Sequence, residues 1–121
     1  MLLKLDHIQL AMPESAEEEA RAFYAHLLGL KEVEKPEALK ARGGVWFELN
    51  GFGIHLGVEK DFRAAKKAHP AFCVTDLDAL FARLEQAGIM LAWDNSLADV
   101  RRFYAYDPFG NRLEFLTADG L

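Results

Sequence analysis

The chain has 121 residues, 51% of them apolar, and a formal charge of −5, which suits one domain with a real core and excludes long disorder. Its only basic cluster, Arg63, Lys66 and Lys67, is too short to track a phosphate backbone, so no nucleic acid is expected as a partner. No apolar run is long enough to cross a membrane and no leader pattern is evident, so no membrane partner is expected and the cytoplasm is the default location.

Residues Leu2 to Leu10 read as a strand. Ser15 and Glu18 then form an S-x-x-E capping box, and Ala16, Ala20, Phe23, Leu27 and Leu28 recur at helical spacing up to a C-cap at Gly29. These signals predict a helix over about residues 15–28. His26, near its C-terminus, is explained by the helix dipole. A short strand around Lys31 to Lys35 ends at Pro36. "GGVWFELNGFGIHLGVE" reads as two strands joined at Asn50-Gly51, a strong hairpin signal. Polar residues 59–67 read as a link.

The same order then repeats. His69 to Val74 reads as a strand, and Thr75 with Asp78 as a T-x-x-D cap. Leu77, Leu80, Phe81 and Leu84 give a helix its apolar face, and Gly88 closes it. A short strand near Ile89 to Trp93 precedes a second hairpin, "VRRFYAYD" and "NRLEFLT", joined by Pro108-Phe109-Gly110. Cys73 has no partner for an intrachain disulfide and, inside "AFCVT", is expected to be an ordinary buried thiol. The chain therefore divides into module 1 (1–58), a linker (59–67) and module 2 (68–118). Each module is too small to bury both its sheet and its helix alone.

Strand alternation sorts the polar residues. His7 and Gln9 lie opposite Ile8 and Leu10. His55 lies opposite Ile54 and Leu56, His69 opposite Phe72 and Val74, and Glu114 opposite Leu113 and Phe115. His55 follows His7 by 48 residues and Glu114 follows His69 by 45, so each copy offers a pair at matching positions. If the modules meet about a pseudo-twofold axis, His7, His55, His69 and Glu114 suit one divalent transition metal: Zn, Ni, Mn, Fe or Co. Open positions would serve water or substrate. Each residue also has a plainer reading, as a structural histidine or, for Glu114, as an ion-pair partner of Arg112 or Arg101. Around the cavity the candidates are Trp46, Phe47, Trp93, Phe103, Tyr104 and Tyr106. Arg101 and Arg102 are adjacent, so only one faces inward to meet an anionic substrate, and Glu48 is a candidate base.

The paired halves, with "LDHIQL", "AHPAFCVTDLDAL" and "YAYDPFGNRLEFL", resemble the vicinal oxygen chelate superfamily, which contains glyoxalase I, fosfomycin-resistance proteins, bleomycin-resistance proteins and extradiol dioxygenases. The resemblance spans nearly the whole chain, and Asp107 to Phe115 (D-P-x-G-N-x-x-E-F) is its most specific part. It implies an α+β fold: one glyoxalase-like domain of two tandem βαβββ modules forming a cupped, partly open barrel. It also implies a metal triad of His7, His69 and Glu114. His55 falls where glyoxalase I carries a glutamate ligand that can move protons, a departure that puts glyoxalase chemistry itself in doubt. A histidine there still serves as ligand or proton acceptor. Pro70 is a second departure, and it places the start of its strand at an edge or bulge. The potassium-holding loop of the fosfomycin transferases is not evident.

The resemblance and the ligand pattern together lead to the expectation of a metal-dependent, glyoxalase-like lyase or related enzyme. It would act on a small oxygenated substrate through bidentate oxygen coordination and stabilise an enediolate or alkoxide. Its catalytic residues would be His55, Glu114 and Glu48. Its substrate pocket would be lined by Gln9, Trp46, Trp93, Arg101, Phe103 and Tyr104. The rivals are a metal-free antibiotic-binding protein and an epoxide-opening thiol transferase. The resemblance also implies a homodimer.

Overall fold

A computed structural model describes residues 1–118. Two compact units are present, Met1–Ala64 and a second from Ala65 onward. The first runs β1 (His7–Met12), α1 (Glu17–Ala20) continuing into a π-helical segment (Arg21–Leu27), β2 (Lys31–Val33), a 3-10 helix (Glu37–Arg42), β3 (Val45–Leu49) and β4 (Phe52–Val58). The second runs β5 (Ala71–Val74), α2 (Leu77–Gln86), β6 (Leu91–Asp94), β7 (Arg102–Tyr106) and β8 (Arg112–Thr117). Each is a βαβββ module in an α+β fold. Each sheet is mixed and four-stranded, in the order β1-β4-β3-β2 in one and β5-β8-β7-β6 in the other. Among the described residues the outer strands of each pair with nothing beyond them, so neither sheet closes into a barrel.

The registers of the two units match. β1 pairs parallel with β4, setting Gln9 against His55, while antiparallel β3 sets Trp46 against His55. β5 pairs parallel with β8, setting Ala71 against Glu114, while antiparallel β7 sets Tyr104 against Glu114. On the opposite face the core of the first unit holds Met12, Phe23, Tyr24, Phe47, Ile54 and Leu56, and that of the second Leu77, Leu84, Phe103, Leu113 and Phe115, all buried. Burial of each large apolar side chain contributes about 1.5–3 kcal/mol, so this face fixes the strand register and thereby the direction of the polar one.

Several local expectations are corrected. The first strand starts at His7, not Leu2, because pairing with β4 begins at His7–Gly53; Leu2, Leu3 and Leu5 are exposed. Ser15 does not cap a helix. It takes a left-handed conformation (φ 60°), and the N-cap is Ala16, with no side-chain cap. Leu28 N donates to Phe23 O, five residues back, and this wider turn buries the consecutive Phe23 and Tyr24 while Leu27 and Leu28 stay half-buried. In the second helix the cap is Asp76, whose carboxylate accepts from Ala79 N at 3.0 Å, and Asp78 pairs with Arg101 instead. β5 starts at Ala71, two residues after His69, and Cys73 on this edge strand is exposed rather than buried. Pro70 lies just before that edge strand, where its missing N–H breaks no ladder, and its carbonyl accepts from Glu114 N at 3.0 Å.

The second hairpin turn is held by side chains. Asp107 Oδ1 accepts from Phe109 N and Asn111 N, each at 2.9 Å, and its Oδ2 accepts from Asn111 Nδ2 at 3.0 Å. Asn111 Oδ1 accepts from Ala65 N at 2.9 Å, and Arg112 N donates to Ala65 O at 2.9 Å. The D-P-x-G-N stretch is thus a structural clasp that starts β8 in the register that turns Glu114 to the polar face.

Candidate functional site: one polar pair in each unit

In the first unit three rings stack. His55 lies between Trp46 (centroids 3.8 Å apart, planes 2° apart) and His7 (4.4 Å, 20°). The sequence makes room for this stack with glycine. In "GIHLG", Gly53 and Gly57 share the face of His55. A Cβ at Gly53 would lie 2.8 Å from His7 Cβ and 2.9 Å from His55 Nε2, and one at Gly57 would lie 2.5 Å from Gln9 Nε2. His55 is buried, and burial first and then the neighbouring His7 depress its pKa, so at neutral pH the ring is uncharged and carries a free lone pair. His7 Nδ1 lies 2.9 Å from Asp6 Oδ2, and this hydrogen bond holds the Asp6 carboxyl below its usual range. Because a carboxylate accepts only, the proton belongs on Nδ1 and the lone pair on Nε2.

The second unit repeats that logic with other residues. His69 Nδ1 lies 2.8 Å from the Lys67 carbonyl, which again assigns the proton to Nδ1. Nε2 lies 2.9 Å from Glu114 Oε1. Two acceptor atoms so close are joined by a shared proton or by a metal ion. The spacing also suits two adjacent ligands of one ion, for bonds of about 2.1 Å at a right angle set their ends about 3 Å apart. The donor set therefore fits a divalent transition metal. Glu114 is buried, and its other oxygen accepts from Arg102 Nη1 at 3.3 Å, while Arg102 Nη2 donates to Asp94 Oδ2 at 2.9 Å. Tyr104 O–H also reaches Asp94, at 3.2 Å, and the Tyr104 ring meets His69 edge-on at 5.5 Å.

Among the described residues, no group of three or more His, Cys, Asp and Glu side chains gathers as a metal site. The pairs His7–His55 and His69–Glu114 stand each in its own unit. Of the expected pocket residues, Gln9, Trp46 and Tyr104 share a face with these pairs. Glu48 shares the Trp46 face, exposed, opposite Gly53. Three pocket expectations are corrected. Phe103 is fully buried on the helix side, Trp93 packs there against Phe81 at 4.9 Å, and Arg101 makes a two-pronged ion pair with Asp78 while lying over Trp93. Strand parity explains all three: Arg102, not Arg101, shares the Glu114 face. Arg112 also shares it but lies over Tyr104 at 4.7 Å instead of pairing with Glu114. Asp6, Asp94 and the two glycines escape a reading of the sequence alone, although Asp-His and Gly-x-His-x-Gly are visible signals.

The sequence model of the glyoxalase/bleomycin resistance protein/dioxygenase superfamily matches residues 4–115. The chain belongs to this superfamily. Within it, a glyoxalase family protein from Bacillus anthracis is 49% identical and superposes with a TM-score of 0.92, over 97% of this chain and 96% of that one. The metallothiol transferase FosB of Lysinibacillus sphaericus (strain C3-41) is 27% identical over 108 residues, 83% of this chain and 73% of the relative. The fosfomycin resistance protein FosX of Listeria monocytogenes shares the superfamily fold (TM-score 0.80, 99% and 97% coverage) at 18% identity. No helix among the described residues is long and apolar enough to cross a membrane.

Proposed function

We propose that the protein is a metal-dependent enzyme acting on a small oxygenated substrate, with His7, His69 and Glu114 as metal ligands and His55 as a fourth ligand or a proton acceptor. The observation that carries this is shared by both units. His7 and His69 each have Nδ1 tied to an oxygen acceptor, leaving an Nε2 lone pair for a cation. When bound, a Zn, Ni, Mn, Fe or Co ion supplies Lewis acidity, lowering the energy of negative charge on vicinal substrate oxygens. The chain's own residues do the rest. Asp6 and the Lys67 carbonyl fix the two histidine rings, Arg102 holds one oxygen of Glu114 so that the other stays directed at His69, and neutral His55 is ready to accept a proton.

A second reading, thiol transfer to an epoxide, is favoured by the relative named a metallothiol transferase. Turnover of an epoxide with a thiol and manganese would select it over proton-transfer chemistry. Assembly as a homodimer belongs to the same proposal and is checked by sedimentation.

Elemental analysis of the purified protein beside His7→Ala, His69→Ala and Glu114→Ala tests the ligand assignment. The expected outcome is about one equivalent of transition metal in the native chain and at least a tenfold loss of affinity in each folded variant. Unchanged stoichiometry and affinity in all three would refute it.

A further inference from the structure

A cavity of about 250 Å³ opens in the first unit, lined among others by Gln9, Lys35, Arg42, Gly43, Trp46 and Gly57. At about 30 Å³ per water it has room for roughly eight, enough for a small polyatomic group. No carboxylate lines it, whereas an ammonium and a guanidinium do. Lys35 is half-buried and spends one of its three donors on the Gly43 carbonyl. Arg42 is exposed and takes part in no ion pair among the described residues. The charge of Glu17 reaches Lys35, but its Oε2 is turned to Gly44, whose N–H it accepts at 2.9 Å. The wall is close-packed for a local reason. The chain passes from the 3-10 helix into β3 through Gly43 and Gly44, both left-handed (φ 74° and 89°), and a Cβ at Gly44 would lie 2.3 Å from the Leu56 carbonyl oxygen.

Two cations line the cavity and the one carboxylate whose charge reaches Lys35 is already engaged by a backbone N–H, so the lining keeps positive charge that an incoming anion relieves. The cavity also adjoins the ring stack: Trp46 lines it and lies against His55, and Gln9 pairs with His55 across the sheet.

We infer that this cavity is an oxyanion subsite, in which Lys35, Arg42 and the Gln9 amide hold a carboxylate or phosphoryl group of the substrate beside His55. The inference rests on the enzymatic reading above and sharpens it. The substrate would be an anionic oxoacid whose charged group lies a few bonds from its reacting oxygens, since neighbouring residues across a sheet are about 5 Å apart. A phosphoryl group and a carboxylate share this chemistry, and separate titrations distinguish them.

The test is a titration of the full-length purified protein with inorganic phosphate and, separately, acetate at constant ionic strength. It is followed by the amide resonances of Gly43 and Gly57 and the Trp46 indole, with metal content measured on the same samples. Saturable shifts centred on these residues are expected, with Lys35→Met and Arg42→Gln each weakening the tighter anion about tenfold and Lys35→Arg retaining most of the affinity. Unchanged affinity in folded Arg42→Gln and Lys35→Met, or shifts centred instead on Arg63 to Lys67 or on Arg112, would overturn the assignment. Should Lys35→Met fail to fold, Arg42→Gln decides alone. Metal content separates the two proposals: loss of anion binding with metal retained is a subsite effect, while anion binding without metal in the native protein counts against the metal reading only.

Discussion

The two units place different chemistry at the same backbone positions. His55 and Glu114 are equivalent through their pairing with β3 and β7, and so are Trp46 and Tyr104. In the first unit the second ligand candidate is a neutral imidazole between two rings, and its flanking positions are glycines. In the second it is a carboxylate held by His69 and Arg102, with Arg112 and Leu116 at those flanking positions. Even the next neighbours differ in sign: Lys35 stands two residues beyond Val33, the partner of Trp46, and Asp94 two beyond Ala92, the partner of Tyr104. A neutral ligand needs space and aromatic cover, whereas a buried carboxylate needs a cation, and that cation needs its own anion. The repeat preserves where a ligand candidate stands and lets each copy solve its own solvation problem.

The hairpin turns offer the strongest way to break the equivalence. Asn111 is fully buried, with a bond to Asp107 and one to Ala65, whereas Asn50 sits exposed in a tight turn. Asn111→Ala is expected to cost about 2–4 kcal/mol and Asn50→Ala about 1 kcal/mol or less, read from urea unfolding. Equal losses would mean that the clasp does not set the second unit apart. The flanking positions sharpen the contrast next. Gly53→Ala forces a Cβ against both His7 and His55, with an expected cost of about 1–3 kcal/mol and a loss of the ring-stacking shifts of both imidazoles in proton NMR. Arg112→Ala at the matching position gives up a cation–π contact with Tyr104 and a 3.3 Å bond to the Tyr106 hydroxyl, worth about 0.5–1 kcal/mol.

Cap and turn signals mark out the two sets of elements in the sequence, and strand parity sets His7, His55 and Glu114 opposite the apolar faces, because period-two alternation survives in single sequences. It fails where a side chain's partner comes from elsewhere. Arg101 and Arg102 look alike in "VRRFY", and only the β7–β8 register shows which one meets Glu114. Ser15-x-x-Glu18 has the letters of a capping box, but the left-handed backbone at Ser15 and the π-helical turn beyond are tertiary choices, in which burying Phe23 and Tyr24 outweighs the cap. Cys73 looks internal from its apolar neighbours, yet alternation on an edge strand turns it outward.

The smallest expected effect tests the charge relay peculiar to the second unit. Hydrogen bonds from the Ser96 side chain and backbone, and then from Tyr104, with the Arg102 charge assisting, hold the Asp94 carboxyl down to about 2. A carboxyl depressed in the folded state stabilises it fully above the unfolded value of about 3.9 and loses that contribution as pH falls through the folded value. The advantage of the native chain over Asp94→Asn should therefore be constant from pH 7 to about pH 4 and shrink toward pH 2, with the Asp94 carboxyl carbon titrating near the same point in carbon NMR. Asp94 is only part-buried, so the difference in midpoint will be small. Its pH dependence is diagnostic: a gap that stays constant to pH 2 would show that Asp94 positions Arg102 by shape, leaving Arg102 and Glu114 as a simple pair instead of the end of a charge-balanced chain.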